Sequence, residues 1–250
     1  MTGDQYVEVV LRKYVANKLA AQRAAENVAP SIRRWAGSQL ADFSYSGSFA
    51  KGTTNSLSTD VDLFISLKSS TTETLKEIYE SLYRLASSSG WSPRRQNVSI
   101  GITHSGMKID LVPGKKQAGY QNVHSLYKRK TDSWTQTNVK LHVDTVSNSD
   151  RTNEIRAIKI WRDLHGLSFP SFYLELMVIE GLKGRSRSNL AANVLHALEY
   201  IGENLPTKRI VDPANTNNII SADLLAREKG IVAQQAKISV AKQYWKEIIW

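Results

Sequence analysis

Residues 60–67 read DVDLFISL: two aspartates alternate with Val61 and Leu63, and an apolar run follows. A strand is the conformation that gives this spacing a purpose. Side chains there alternate between faces, so Asp60 and Asp62 share one face while Val61 and Leu63 enter a core. A second stretch, MKIDLVP at 107–113, sets one aspartate, Asp110, between Ile109 and Leu111. The chain must therefore build a sheet with an apolar face and an acidic opposite face.

The rest of the first half supports a mixed α/β unit. Residues 4–41 read as helix, with Val7, Val10, Leu11, Tyr14, Val15 and Leu19 as the apolar stripe and Pro30 as the point where the run breaks or restarts. A period of two takes over in DFSYSGSF. Leu75, Ile78, Leu82 and Leu85 mark a helix to about residue 88, and NVSIGIT and MKIDLVP flank HSG as a hairpin flanks its turn. At least three strands are expected. After Pro113 a polar, basic stretch reads as a long connection, with a domain boundary near 147.

Helical spacing dominates the second half. Asp150 is the expected N-cap of a helix carrying Ile155, Ile158, Trp161 and Leu164. FYLELMVIEGL is apolar on nearly every side, which places it at the centre of a small bundle. Two further helices are expected, about 188–203 and 221–248.

Composition narrows the chemistry. The 250 residues include no cysteine, so disulfides, thiolate metal sites and cysteine nucleophiles are excluded, and any metal must be held by oxygen or imidazole. The five histidines show no metal-ligand spacing. Lysine and arginine outnumber aspartate and glutamate 33 to 23, a net charge of +10 that favours anionic partners. No stretch approaches the ~20 apolar residues of a membrane span, and the expectation is a cytoplasmic chain with no membrane partner.

Three carboxylates on neighbouring strands repel one another and raise each other's pKa. Divalent cations relieve that repulsion, and magnesium is the expected hard ion. Just upstream, SGSFAKGT offers Gly47, where a backbone can approach phosphate oxygens, and Ser48, whose hydroxyl and amide can donate to them. An exposed strand and an ordinary turn account for the same residues singly.

Gly47-Ser48, then Asp60-Val61-Asp62, then Asp110 on a later strand resembles the signature of the DNA polymerase β-like nucleotidyltransferase superfamily. Within it the chain is similar to the branch of CD-NTases (cyclic-oligonucleotide synthases), oligoadenylate synthases and archaeal CCA-adding enzymes. The resemblance continues in EIRAIKIWRDL, FPSFYLELMVIEGL and the closing segment from VDPANTNN to the end. It implies an α+β fold: a nucleotidyltransferase palm, a mixed sheet with flanking helices, over 1–147, and a helical domain of the oligoadenylate synthase or poly(A) polymerase substrate-binding type over 148–250.

The same resemblance implies roles. Asp60, Asp62 and Asp110 would be catalytic and would hold two magnesium ions, replaceable by manganese. Gly47, Ser48, Lys159 and Ser171 would bind the nucleotide. The implied activity is metal-dependent, template-independent transfer from NTPs to make cyclic or short linear oligonucleotides, in antiviral signalling. Two alternatives stay open: nucleotidyl addition to an RNA 3′ end or a protein acceptor, and an inactive nucleotide- or RNA-binding module. An RNA acceptor or activator is the partner to consider besides NTPs, with YKRK at 127–130, Tyr120 and Trp134 as a basic-aromatic surface. Asn217 and Asn218 are candidates for base or ribose contact. Glu175 and Glu180 read as structural glutamates.

Overall fold

A computed structural model of the chain describes residues 1–58 and 60–250. The chain clusters into two compact units. One comprises Asn17–Ala50 and Thr59–Val143; the other comprises Met1–Ala16, Lys51–Ser58 and Asp144–Trp250.

The first unit is a mixed sheet with helices on it. Its strands among the described residues are β1 (Leu40–Tyr45), β2 (Val61–Leu67), β3 (Arg94–Arg95), β4 (Ile100–His104), β5 (Met107–Lys116), β6 (His124–Lys128) and β7 (Ser133–Thr137). They run in the order β1-β2-β5-β4-β3, with β6 joining the end of β5 and β7 pairing β6. β2 and β5 are parallel, and every other pairing is antiparallel. Alternation decides the faces: Val61, Leu63 and Ile65 of β2 and Ile109 and Leu111 of β5 share a core with α2 (Lys18–Ala36) and α4 (Leu75–Ser88). The helix α4 starts on a capping box between Thr74 and Glu77, a signal written in the sequence. Ser105 and Gly106, both at positive φ, turn the β4–β5 hairpin.

The second unit is a helical bundle. It contains α1 (Gly3–Lys13), α6 (Thr152–Leu164), α7 (Ser171–Gly181), α8 (Leu190–Asn204) and α9 (Ala226–Val240). Val7, Val10 and Leu11 of α1 belong to the same core as Ile158, Trp161, Leu174 and Val178. The chain's end is tied to this bundle, since the hydroxyls of Tyr6 and Tyr14 donate to the carbonyls of Ile249 and Trp250 at 3.1 and 2.6 Å. No helix among the described residues is long and apolar enough to cross a membrane.

Several expectations are corrected. The first helical run breaks at residues 14–17, where the Asn17 side chain caps α2 by accepting from the Ala20 amide; Pro30 lies inside α2. Both Pro30 and Glu26, whose carbonyl loses its helical donor, are on the exposed side, so water can replace the missing bond. Val15 and Leu19 are exposed, not core. The expected long connection holds β6, β7 and α5 (Val139–Ser147). β5 continues through Pro113, which falls between the β4 ladder ending at Leu111 and the β6 ladder starting at Lys115, where one side of β5 is unpaired. Asp150 does not cap α6; it sits at φ +56° and pairs with Arg187. The last long helix stops at Val240, short of 248.

Candidate active site

The acidic corner belongs to the sheet unit. Parallel pairing puts Asp62 of β2 directly beside Asp110 of β5, with Val61 beside Ile109 and Leu63 beside Leu111. Neighbouring strands lie about 4.8 Å apart, so the two carboxylates leave the same face of the sheet side by side. Asp60 precedes β2 and is exposed; Asp62 and Asp110 are half-buried. Burial and the Asp60 charge push the Asp110 carboxyl above its usual range, against a smaller pull from the Gln96 hydrogen bond and from Arg94 and Lys108.

Gly47 closes this corner from the β1 side. It opens α3 (Gly47–Lys51) at φ +55°, and a Cβ built on it would overlap the Asp62 carboxyl. The amide of Ser46 donates to the Asp62 carbonyl at 2.8 Å and fixes the approach. Only a residue without a side chain can lie this close with this backbone. Ser48 follows in the same turn, half-buried.

Two further residues hold Asp110 and escaped the sequence reading. Gln96 Nε2 donates to Asp110 Oδ1 at 2.8 Å, and Gly101, opposite Asp110 on β4, leaves room: a Cβ there would stand 2.6 Å from Gln96 Nε2. The legible signal was an isolated glycine inside a strand, which marks close approach by another group.

The residues present fit a hard divalent cation in chemistry. Asp62 and Asp110 stand side by side and half-buried, and burial first, then the charge of exposed Asp60, raises the Asp110 pKa, so the corner is an acidic site that a cation would relieve. Among the described residues, no three His, Cys, Asp or Glu side chains already stand together as a metal cage.

The helical unit holds a second ionic cluster, around Glu175. This glutamate of α7 is fully buried, and both its oxygens are used: Oε2 accepts from Lys51 Nζ at 2.8 Å, while Oε1 accepts from Lys159 Nζ and from Thr53 Oγ1, each at 2.9 Å. Lys159 also donates to Thr53 Oγ1 at 3.1 Å, and Lys51 lies 4.2 Å from the centre of the Phe172 ring. Burial pushes the Glu175 carboxyl up, and the two lysines outweigh it and leave it below its usual value. Lys159 is lowered because burial outweighs the support of Glu175.

Lys159 is therefore a buried, ion-paired residue that uses two of its three donors within the protein. Ser171 opens α7, and its Oγ accepts from Arg162 Nη1 at 2.9 Å, which leaves its own hydroxyl proton to donate elsewhere. Lys51 and Thr53 are members of this cluster that the sequence reading did not single out. Glu180 is exposed and pairs with Lys208. Asn218 is engaged by Asp212, to whose Oδ2 it donates at 3.0 Å. In the 127–130 stretch, Tyr127 is buried, whereas Tyr120 and Trp134 are exposed.

No family model and no curated protein matches the chain. Solved structures do match. The CD-NTase CdnG of Bradyrhizobium diazoefficiens in complex with GTP is similar with a TM-score of 0.77 at 14% identity, over 99% of this chain and 95% of that one. CdnC of E. coli MS115-1 with ATP gives a TM-score of 0.73 at 19% identity, over 94% and 89%. The CdnE cyclic dinucleotide synthase of Elizabethkingia meningoseptica with GTP and Apcpp gives 0.67 at 13%, over 88% and 92%. At such identities the likeness is one of architecture: this chain has the α+β fold of the CD-NTases.

Proposed function

We propose that the protein is a metal-dependent, template-independent nucleotidyltransferase that joins NTPs into cyclic or short linear oligonucleotide messengers. The observation that carries this reading is the side-by-side placement of Asp62 and Asp110 against the side-chain-free backbone of Gly47, in a fold shared with CD-NTases. The antiviral setting follows the same likeness.

Asp60, Asp62 and Asp110 would hold magnesium, which when bound supplies charge neutralisation for the triphosphate and for the displaced pyrophosphate. The chain's own groups supply the rest. A 2′- or 3′-hydroxyl oxygen attacks the α-phosphorus of the next NTP, its proton passes to Asp110, and the bond to pyrophosphate breaks. A carboxyl whose pKa is already raised suits that proton acceptance. Gln96, donating to Oδ1, orients the acceptor. Ser48 and the amides beside Gly47 would donate to the β- and γ-phosphates. For Lys159 the remaining donor of the ammonium, and for Ser171 the unspent hydroxyl proton, are the groups available to a phosphate.

Incubation with the four labelled NTPs and magnesium, followed by phosphatase, tests the reading. A phosphatase-resistant product formed without acceptor is expected, and Asp62→Ala should abolish it while keeping the wild-type melting profile. Label that becomes protected only when RNA or a protein acceptor is added would redirect the assignment to tailing or protein modification. Nucleotide binding without turnover would leave a silent binding module.

A further inference from the structure

The loop between α7 and α8, residues 182–189, borders an open depression of about 740 Å³. Lys183, Arg185 and Arg187 line it, and no carboxylate does. All three are exposed. Among the described residues neither Lys183 nor Arg185 has a carboxylate partner; Arg187 pairs with Asp150 at 2.8 Å on the surface, where such a pair is worth little.

The loop is shaped from below. Arg151, buried and paired with Glu154 at 3.1 Å, donates to the carbonyls of Leu182, Arg185 and Ser186. Asn193, also buried, donates to the Ser186 carbonyl at 2.8 Å and accepts from Arg185 Nε at 3.3 Å. With these carbonyls turned inward and Gly184 at φ +76°, the amides of Gly184, Ser186 and Arg187 have no acceptor among the described residues. Amides without acceptors and three exposed cations, around a depression that no carboxylate lines, are the donor set an oxyanion calls for.

We propose that this loop is a phosphate-binding site, separate from the acidic corner, that takes the phosphates of a nucleic-acid strand or of a nucleotide. The depression is of the size of pockets that hold nucleotide-sized ligands, roughly 300–1,000 Å³. The chain's charge of +10 favours the same class of ligand.

The test uses the full chain, a fluorescein-labelled 12-nucleotide single-stranded RNA and EDTA, read by fluorescence anisotropy across a salt series. Replacing Lys183 and Arg187 together with glutamine should weaken binding at least tenfold at 0.1 M salt. It should also make the salt slope shallower by about 1.4, since each phosphate contact to a single strand contributes about 0.7. Asp150→Asn should act oppositely and tighten binding, because it frees Arg187. Competition by ATP identifies the nucleotide as the ligand, and resistance to ATP identifies the strand. An affinity and slope unchanged in the lysine–arginine variant, or no binding of RNA or ATP by the wild type, overturns the proposal. NTP turnover without RNA should persist in that variant, and Asp62→Ala should keep RNA binding, so the two proposals fail separately.

Discussion

The Asp62 carboxyl occupies the place that a side chain on Gly47 would need. One residue carries the acid and the other must carry nothing, so that the turn after β1 can approach the start of β2. Gly47→Ala should lose NTP turnover and lower stability. The left-handed backbone alone costs a residue with a Cβ about 1–2 kcal/mol. Thermal melting and the turnover assay read both effects; wild-type values in both would show that the close approach is not needed.

Asp110→Asn should separate function from stability. Folding raises the Asp110 pKa, so the folded chain holds this proton more tightly than the unfolded one. Its contribution to stability is therefore lost as pH rises from the ordinary value of 3.8 through the folded value. The asparagine variant carries no charge to bury beside Asp60 and keeps an oxygen for Gln96. In EDTA at pH 7 it should melt above the wild type, and with magnesium and NTPs it should make no product. Functional carboxylates commonly carry such a stability cost.

Glu175→Ala should be among the most damaging single changes in the helical unit. It leaves Lys51 and Lys159 buried without a counter-charge, and breaking a buried pair in this way costs about 3–5 kcal/mol. The wild-type contribution has the opposite pH sense to that of Asp110. With the folded Glu175 pKa lowered, the stabilisation is present above its ordinary value of 4.5 and is lost as pH falls through the folded one. Denaturant unfolding between pH 3 and pH 7 should show the variant converging on the wild type at the acid end.

Tyr173 presents the reverse case. Its hydroxyl is buried with no hydrogen-bond partner among the described residues, and burial, with the charge of Asp223, pushes its pKa up to about 12. Tyr173→Phe removes an unsatisfied polar atom and should leave stability equal or higher, by up to about 1–3 kcal/mol. A clear drop in melting temperature would reveal a partner for the hydroxyl.

Much of this protein is legible in one dimension. Period-two alternation places Asp62 and Asp110 opposite the core residues that flank them, and the capping box at Thr74 and the turn residues at Ser105 and Gly106 state their own boundaries. These are short-range signals, set by neighbours within a few residues. One-dimensional pattern was enough to say which residues of β2 and β5 enter the core and which acids are available, though not that Val15 and Leu19 stay exposed. Tertiary structure alone decided their companions. The parallel pairing of Asp62 with Asp110 spans 48 positions, α1 joins the core of helices that begin after residue 150, and Glu175 gathers Lys51 from 124 positions away. No local periodicity encodes such contacts, because the free energy that selects them comes from burying whole faces against one another. The side chains that meet, such as Lys159 and Glu175, have no partner until that burial has occurred.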